Sequence, residues 1–311
     1  METVTLARNA MATRFEIVLH GERAPALRSA GEEALDEIDR LESRLSLYRP
    51  GSEIAQVNAR AAREPVRVTS MVFALLQHAK QLHRETGGMF DVTIAPLVRC
   101  WGFMGGTGQM PEPAELMHAR ELIGMEHVLL DEVNSTVRFD REGVMLDLGA
   151  IGKGFAVGRA GDILREAGIT SALIHGGTST VCAIGKPPDN ESWKIAIEFP
   201  PATEQAGQKT FVHLRDEALS VSAVWGRSFK SEGKSFGHVL DPRTGRPVAN
   251  ALLAAVASPS ATETDALSTA LLIGGMDGHD AIAALRPGLR TLVIAADGSS
   301  KGRIDNSARK H

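Results

Sequence analysis

Asp147-Leu-Gly-Ala-Ile-Gly-Lys-Gly154 opens a stretch that closes on Ser171-Ala-Leu-Ile-His175, and its reading decides the fold. An extended segment ends in a carboxylate and a glycine-rich turn follows. Gly152 to Ala167 then reads as a helix with Phe155, Ala156, Ile163 and Leu164 on its inner stripe, leading into the strand Ser171 to His175. A doubly wound sheet or a TIM barrel would repeat this strand-helix-strand unit along the chain. Here it stands alone.

Upstream, Thr13 to His20 alternates as a strand, and Ala26 to Leu45 places Leu27, Ala30, Ala34, Ile38, Leu41 and Leu45 at helical spacing. A helix capped by Thr69 or Ser70 carries Leu75, Leu76, Ala79 and Leu82 and stops at Gly87-Gly88; Pro111 to Ile123 reads as another. Val128 to Asp131, Val137 to Phe139 and Val144 to Leu148 read as successive strands. Downstream come strands around Val181 to Ile184, Trp193 to Glu198, Thr210 to Leu214 and Leu219 to Val221, with Pro200 to Lys209 as a polar loop. Ala251 to Ala257 and Thr291 to Ala295 are further strands. Between them lie a helix Thr264 to Ile273, stopped by Gly274-Gly275, and a second one from Asp277 to Leu285. The polar end, Ser299 to His311, is expected to fray, most of all over 301–311. Strands and helices mix without βα alternation, so the expectation is an α+β fold in one domain over residues 1–311, with room for two lobes.

Composition bounds the function. The 311 residues are 43% hydrophobic and 23% charged, which excludes a disordered chain and supplies a core that needs no disulfide or structural metal. The net charge of −4 comes with no basic block, which argues against capture of nucleic acid or an anionic membrane surface. Cys100 and Cys182 form no CxxC pair, no run approaches the ~20 apolar residues of a membrane span, and no signal peptide or lipid-accepting cysteine opens the sequence. A reduced, cytoplasmic protein is expected, an exported mature form being the alternative.

Four segments carry candidate chemistry. In the Asp147–Gly154 turn, glycines allow close backbone approach, a helix start favours an anion such as phosphate, and Lys153 adds a charge; a plain tight turn is the competing reading. The turn matches neither a Walker A loop nor GxGxxG. Asp265 and Thr269, four apart, project two hard oxygens from one helical face, as Mg²⁺ would need, although capping by Thr262 or Thr264 with Asp265 on the helix dipole also explains the acid. His238 precedes the turn Asp241-Pro-Arg-Thr-Gly245 and is either a structural imidazole or a base. Gly88-Met-Phe-Asp91, with Trp101 and Phe103 and the sole tyrosine Tyr48, offers either a buried connection or an apolar wall for a planar ligand.

In order, Met11-Ala-Thr-Arg-Phe15, Ser46 to Ile54, Gly88-Met-Phe-Asp-Val-Thr93, Asp147 to Gly154, His175-Gly-Gly177, His238-Val-Leu-Asp-Pro242 and Asp265-Ala-Leu-Ser-Thr269 resemble the bacterial flavin transferase family typified by ApbE, the FAD:protein FMN transferases. The resemblance spans most of the chain. It implies a single α+β domain that binds FAD as substrate, cuts its pyrophosphate with Mg²⁺, releases AMP and passes FMN to a threonine of an acceptor protein. It further implies that Met11, Tyr48, Met89, Phe90, Asp91, Asp147, Lys153 and Val239 line the FAD site. Asp265, Thr269 and the carbonyl of Ala150 would hold the metal; beside the resemblance, the chemistry of an imidazole next to Val239 makes His238 the candidate base, so that His238 and Asp265 are the catalytic candidates. One departure stands out: Ser222-Ala223 replaces the family's Ser-Gly pair, and Ala223 could narrow the approach of the acceptor threonine. An FAD pyrophosphatase that hands the phosphorus to water, and a non-catalytic flavin-binding protein, are the alternatives.

Overall fold

A computed structural model describes residues 1–200, 206–226, 228–231 and 233–305 of the chain. These residues gather into two compact units, one built from Met1–Glu42, Ile151–Ser222 and Ala251–His311, the other from Ser43–Ala150 and Ala223–Asn250. Among the described residues no helix is long and apolar enough to cross a membrane.

The first unit is centred on an eight-stranded sheet whose spatial order follows the chain: Glu2–Ala10, Thr13–Gly21, Ser171–Gly176, Thr180–Gly185, Ala218–Ala223, Ala251–Ser258, Arg290–Ala295 and Ser300–Arg303. Antiparallel pairing opposes Leu19 to Ala172, Ile17 to Ile174 and Ser220 to Thr180. Directly opposed residues share a face. Leu6 and Leu19 therefore lie on one face with Ile174 and Cys182, and helices cover it. Gly31 of the helix Ala24–Leu45 sits over Leu6 and Leu19, and Gly161 of the helix Gly152–Glu166 sits over Ile174 and Cys182. Leu173, Val181, Ala183 and Leu219 point the other way, into a core closed by the hairpin Trp193–Glu198 and Lys209–Leu214. The sheet is thus sandwiched between helices and a two-stranded ribbon, an α+β arrangement with no closed barrel.

The second unit has a three-stranded sheet, Val66–Arg67, Thr136–Phe139 and Val128–Asp131, and the helices Glu53–Arg60, Ser70–Glu85, Ala95–Cys100 and Pro113–Arg120. Trp101 and Phe103 pack with Leu97, Ile123 and Leu240, and the rings of Phe229 and Phe236, stacked 5.4 Å apart, close over them. Both aromatics are almost fully buried.

Several sequence expectations need correction. Val144 to Leu148 is extended but joins no sheet: the Asn58 amide side chain takes the Leu146 N–H and donates to its carbonyl, and the Asp147 N–H donates to Val92. Ala261–Ala283 holds the expected pair of helices, divided where expected, at Gly275, whose φ 57 and ψ −149 are not helical. Its cap is Ser260, whose hydroxyl accepts the Glu263 N–H, rather than Thr262 or Thr264. Ser300–Arg303 does not fray; it forms the last strand, beside the buried Ile304, while 306–311 and 201–205 of the expected tail and loop lie outside the described residues. Cys100 and Cys182 are both free thiols, and burial pushes both above the usual range.

Candidate functional site

In the first unit the chemistry gathers on the helix-covered face of the sheet. Gly152–Glu166 begins after Ile151, which supplies no side-chain cap, and its third residue, Gly154, lies against the first turn of Ala261–Ala283. A Cβ at Gly154 would meet the Ala261 carbonyl at 2.2 Å and the Asp265 Cβ at 2.6 Å. The glycine is needed for helix-to-helix approach, and that approach delivers the Gly154 N–H to Asp265 Oδ2 at 2.8 Å. One orphan donor of the helix start is capped by a carboxylate 111 residues away, and the positive end of the helix faces that charge.

Asp265 is 4% exposed, and its other oxygen accepts the Thr180 hydroxyl at 3.4 Å. Both donors are neutral. A buried carboxylate ordinarily carries a basic partner or a metal, and around this one the neighbouring side chains are hydroxyls. Ser220 bonds Thr264 at 2.9 Å, and Ser222 bonds Ser268 at 2.8 Å and Thr269 at 3.2 Å. The Thr269 hydroxyl lies 3.4 Å from the Asp265 carbonyl. Among the described residues no group of three or more His, Cys, Asp or Glu could hold a metal. Any cation here would rest on one carboxylate with hydroxyl and carbonyl oxygens, a hard donor set suited to Mg²⁺. The structure thus brings Asp265 and Thr269 together, as their spacing predicts, while Ala150 belongs to the second unit.

Lys153 occupies the second position of the Gly152–Glu166 helix. Met11 forms, with Ala12, the two-residue turn that closes the first hairpin, and both take positive φ, 49° and 57°. Such turns favour asparagine and glycine, so the backbone here is strained. Gly177 packs on that hairpin, its N–H donating to the Arg14 carbonyl at 3.0 Å. His175 alternates onto the opposite face of the sheet from Thr180 and Asp265, where burial pushes its imidazole below the usual histidine range.

The second unit holds the remaining candidates. Tyr48 is 61% exposed, in the turn before the Ser52-capped helix Glu53–Arg60. Met89 and Phe90 are buried. Asp91 is held from several sides: Oδ1 accepts the Thr93 N–H at 2.7 Å and hydroxyl at 2.6 Å, and Oδ2 lies 3.2 Å from His83 Nδ1. Burial alone would lower the His83 imidazole, but the hydrogen bond and charge of Asp91, the Phe90 carbonyl and Glu126 outweigh it and raise it above the usual histidine range. Asp147 Oδ1 accepts the Gly149 N–H at 2.8 Å. His238 follows the strand Lys234–Gly237 and is flanked by Gly226, and the Val239 carbonyl accepts the Val248 N–H at 2.9 Å. Asp241 is committed to Arg243, which it grips through both oxygens at 3.0 and 2.9 Å.

Sequence reasoning missed His83, the buried hydroxyls Thr180, Ser220 and Ser268 and the partly buried Ser222 as members of the site. The alternation Ser220-Val-Ser222 in a central strand was the available signal, since it puts two hydroxyls on one face of a buried sheet.

Comparison with known proteins places this arrangement. The model of the ApbE family matches residues 11–293. A FAD:protein FMN transferase of Klebsiella pneumoniae is 34% identical over 254 residues, covering 80% of this chain and 76% of the relative. One of Vibrio cholerae is 31% identical over 255 residues, covering 79% and 75%. Among solved structures, the ApbE protein of Thermotoga maritima superposes with a TM-score of 0.88 at 26% identity, covering 97% of each chain. The flavin transferase ApbE of Vibrio cholerae does so with 0.84 at 27%, covering 98% of each.

Proposed function

Since the chain belongs to the ApbE family, we propose that it is an FAD:protein FMN transferase, a Mg²⁺-dependent enzyme that moves FMN from FAD to a threonine of an acceptor protein and releases AMP. The observation that carries the reading is the buried Asp265 carboxylate, held by one N–H and one hydroxyl and left with lone pairs but, among the described residues, no basic partner. Its donor chemistry fits a hard dication, with Thr269 on the same helical face and the Ala150 carbonyl as the third assigned ligand. Bound Mg²⁺ would supply neutralisation and orientation of the pyrophosphate oxygens.

The rest falls to the chain's own groups. Lys153 offers a fixed positive charge to a phosphate. Tyr48 presents an exposed ring suited to a planar heterocycle, and Met11, Met89, Phe90, Asp91, Asp147 and Val239 are assigned to the FAD site with it. In the transfer, the acceptor threonine oxygen attacks the phosphorus of the FMN half. The bond from that phosphorus to the bridging oxygen breaks, and AMP leaves with the oxygen. The threonine proton passes to the imidazole of His238, the base assigned here.

Incubation with FAD and Mg²⁺, with and without an acceptor protein, tests the reading by AMP release and covalent flavin fluorescence. The expected result is acceptor-dependent AMP release with one flavin transferred per AMP, abolished in Asp265→Ala. AMP release at full rate without acceptor would instead establish the pyrophosphatase, and wild-type turnover by Asp265→Ala would move the metal elsewhere.

A further inference from the structure

We infer that Ser222 is a positioning residue for the cation site: it takes the Thr269 hydroxyl proton and so turns the Thr269 lone pairs outward as a ligand. The inference rests on the proposed Mg²⁺ role of Asp265 and Thr269 and assigns a residue beyond them.

The argument is a count of protons and lone pairs. A carbonyl oxygen accepts two hydrogen bonds and a hydroxyl donates one. The Asp265 carbonyl lies inside the helix Ala261–Ala283, where the N–H four residues on, that of Thr269, takes one lone pair. The Ser268 hydroxyl, 3.0 Å away, takes the other. The Thr269 hydroxyl at 3.4 Å is then a third claimant on a filled acceptor. Ser222 is nearer, at 3.2 Å, and can accept. Its own proton has a better destination, Ser268 at 2.8 Å, whose proton is already spent on the Asp265 carbonyl. The chain of donors therefore runs one way, from Thr269 to Ser222 to Ser268 to the Asp265 carbonyl.

The consequence is electrostatic. With its proton drawn toward the sheet, Thr269 presents oxygen lone pairs away from Ser222, the orientation a cation requires. Remove the Ser222 hydroxyl and the Thr269 proton loses its acceptor; it then competes for the filled carbonyl or swings into the space a cation would take. A fixed hydroxyl orientation is worth more to a hard, reluctantly dehydrating ion than to a loosely hydrated one. Ser222 lies in the strand Ala218–Ala223, held by the sheet.

The test is Mn²⁺ as a probe for Mg²⁺, titrated by electron paramagnetic resonance with FAD present and no acceptor, alongside urea unfolding of each variant. Asp265→Ala serves as the blank for Mn²⁺ held by FAD alone. Ser222→Ala is expected to weaken Mn²⁺ by about tenfold, the range of outer-shell effects on metal sites, with its unfolding midpoint near wild type; Ser222→Thr, which keeps the hydroxyl, is expected to restore binding. In a Thr269→Ala background the Ser222→Ala change is expected to add nothing, because it acts through Thr269. Wild-type Mn²⁺ affinity in Ser222→Ala, or a full additive loss in the double variant, overturns the inference alone. Undiminished Mn²⁺ binding in Asp265→Ala overturns the metal assignment and this inference with it.

Discussion

Replacing Gly154 with alanine sets two effects of opposite sign against each other. In an isolated helix the change gains about 1 kcal/mol of helix propensity. Here the new Cβ would lie 2.2 Å from the Ala261 carbonyl oxygen and 2.6 Å from the Asp265 Cβ, and a backbone oxygen cannot rotate aside. Restoring ordinary contact forces the two helices apart by about 1 Å, which stretches the 2.8 Å bond from Gly154 N–H to the Asp265 carboxylate beyond useful length. Overpacking costs about 1–3 kcal/mol, and loss of a hydrogen bond to a buried charge about 1.5–3 kcal/mol. After the propensity gain the net expectation is a loss of about 1.5–5 kcal/mol. Gly158, one turn on, is the control. A Cβ there would meet Ala261 Cβ and Thr262 Oγ1 at 3.8 Å, ordinary contact, so Gly158→Ala should stabilise by up to about 1 kcal/mol. Urea unfolding of both variants reads the two signs directly. A Gly154→Ala protein as stable as wild type would show that the two helices have room to spare and that Asp265 does not depend on this approach.

Two further outcomes follow from the histidines. His83 is raised above its unfolded value near 6.5, so its ion pair with Asp91 contributes fully below that pH and fades as pH climbs through the folded value. The stability gap between wild type and His83→Gln should therefore be larger at pH 6 than at pH 9 in urea titrations, and a gap that grows with pH would reverse the assignment. His238→Ala should keep FAD affinity and lose roughly a hundredfold in transfer rate, whereas His175→Ala, altered on the sheet face opposite Asp265, should keep transfer; the reverse pattern in single-turnover assays would move the base to His175.

Local pattern made much of the fold legible. Trp193–Glu198 and Val128–Asp131 alternate or run apolar between turn residues and form strands with those bounds, and Thr69 caps its helix as its hydroxyl suggests. Glu2–Ala10 turns Val4, Leu6 and Ala10 inward, but Arg8 interrupts that set and Ala7 the polar one, which blurs the alternation that would mark a strand. Val144 to Leu148 misled because an extended, apolar run looks the same whether its partner is a strand or the amide of Asn58. At the site, Asp265 and Thr269 could be paired by helical spacing alone. The cap from Gly154 could not: it joins residues far apart in the chain, and local sequence says only that a glycine is tolerated there. The hydroxyl chain through Ser222 was hidden for the same reason, since serine reads as a surface residue until the strand carrying it is known to be central.

The interleaved chain path has a consequence for synthesis on the ribosome. Thr13–Gly21 pairs with Ser171–Gly176, so the hairpin that opens the chain leaves the exit tunnel roughly 150 residues before its neighbour, about 8 to 30 s at ordinary elongation rates. Through that interval the Phe15, Ile17 and Leu19 side chains, all fully buried in the finished protein, have only the first hairpin and the helix Ala24–Leu45 to pack against. The stretch Ser43–Ala150 emerges meanwhile with short-range pairings of its own, such as Thr136–Phe139 with Val128–Asp131. Nascent chains stalled before residue 171 should accordingly engage a hydrophobic-binding chaperone through residues 13–21, and release it once Ser171–Gly176 has cleared the tunnel.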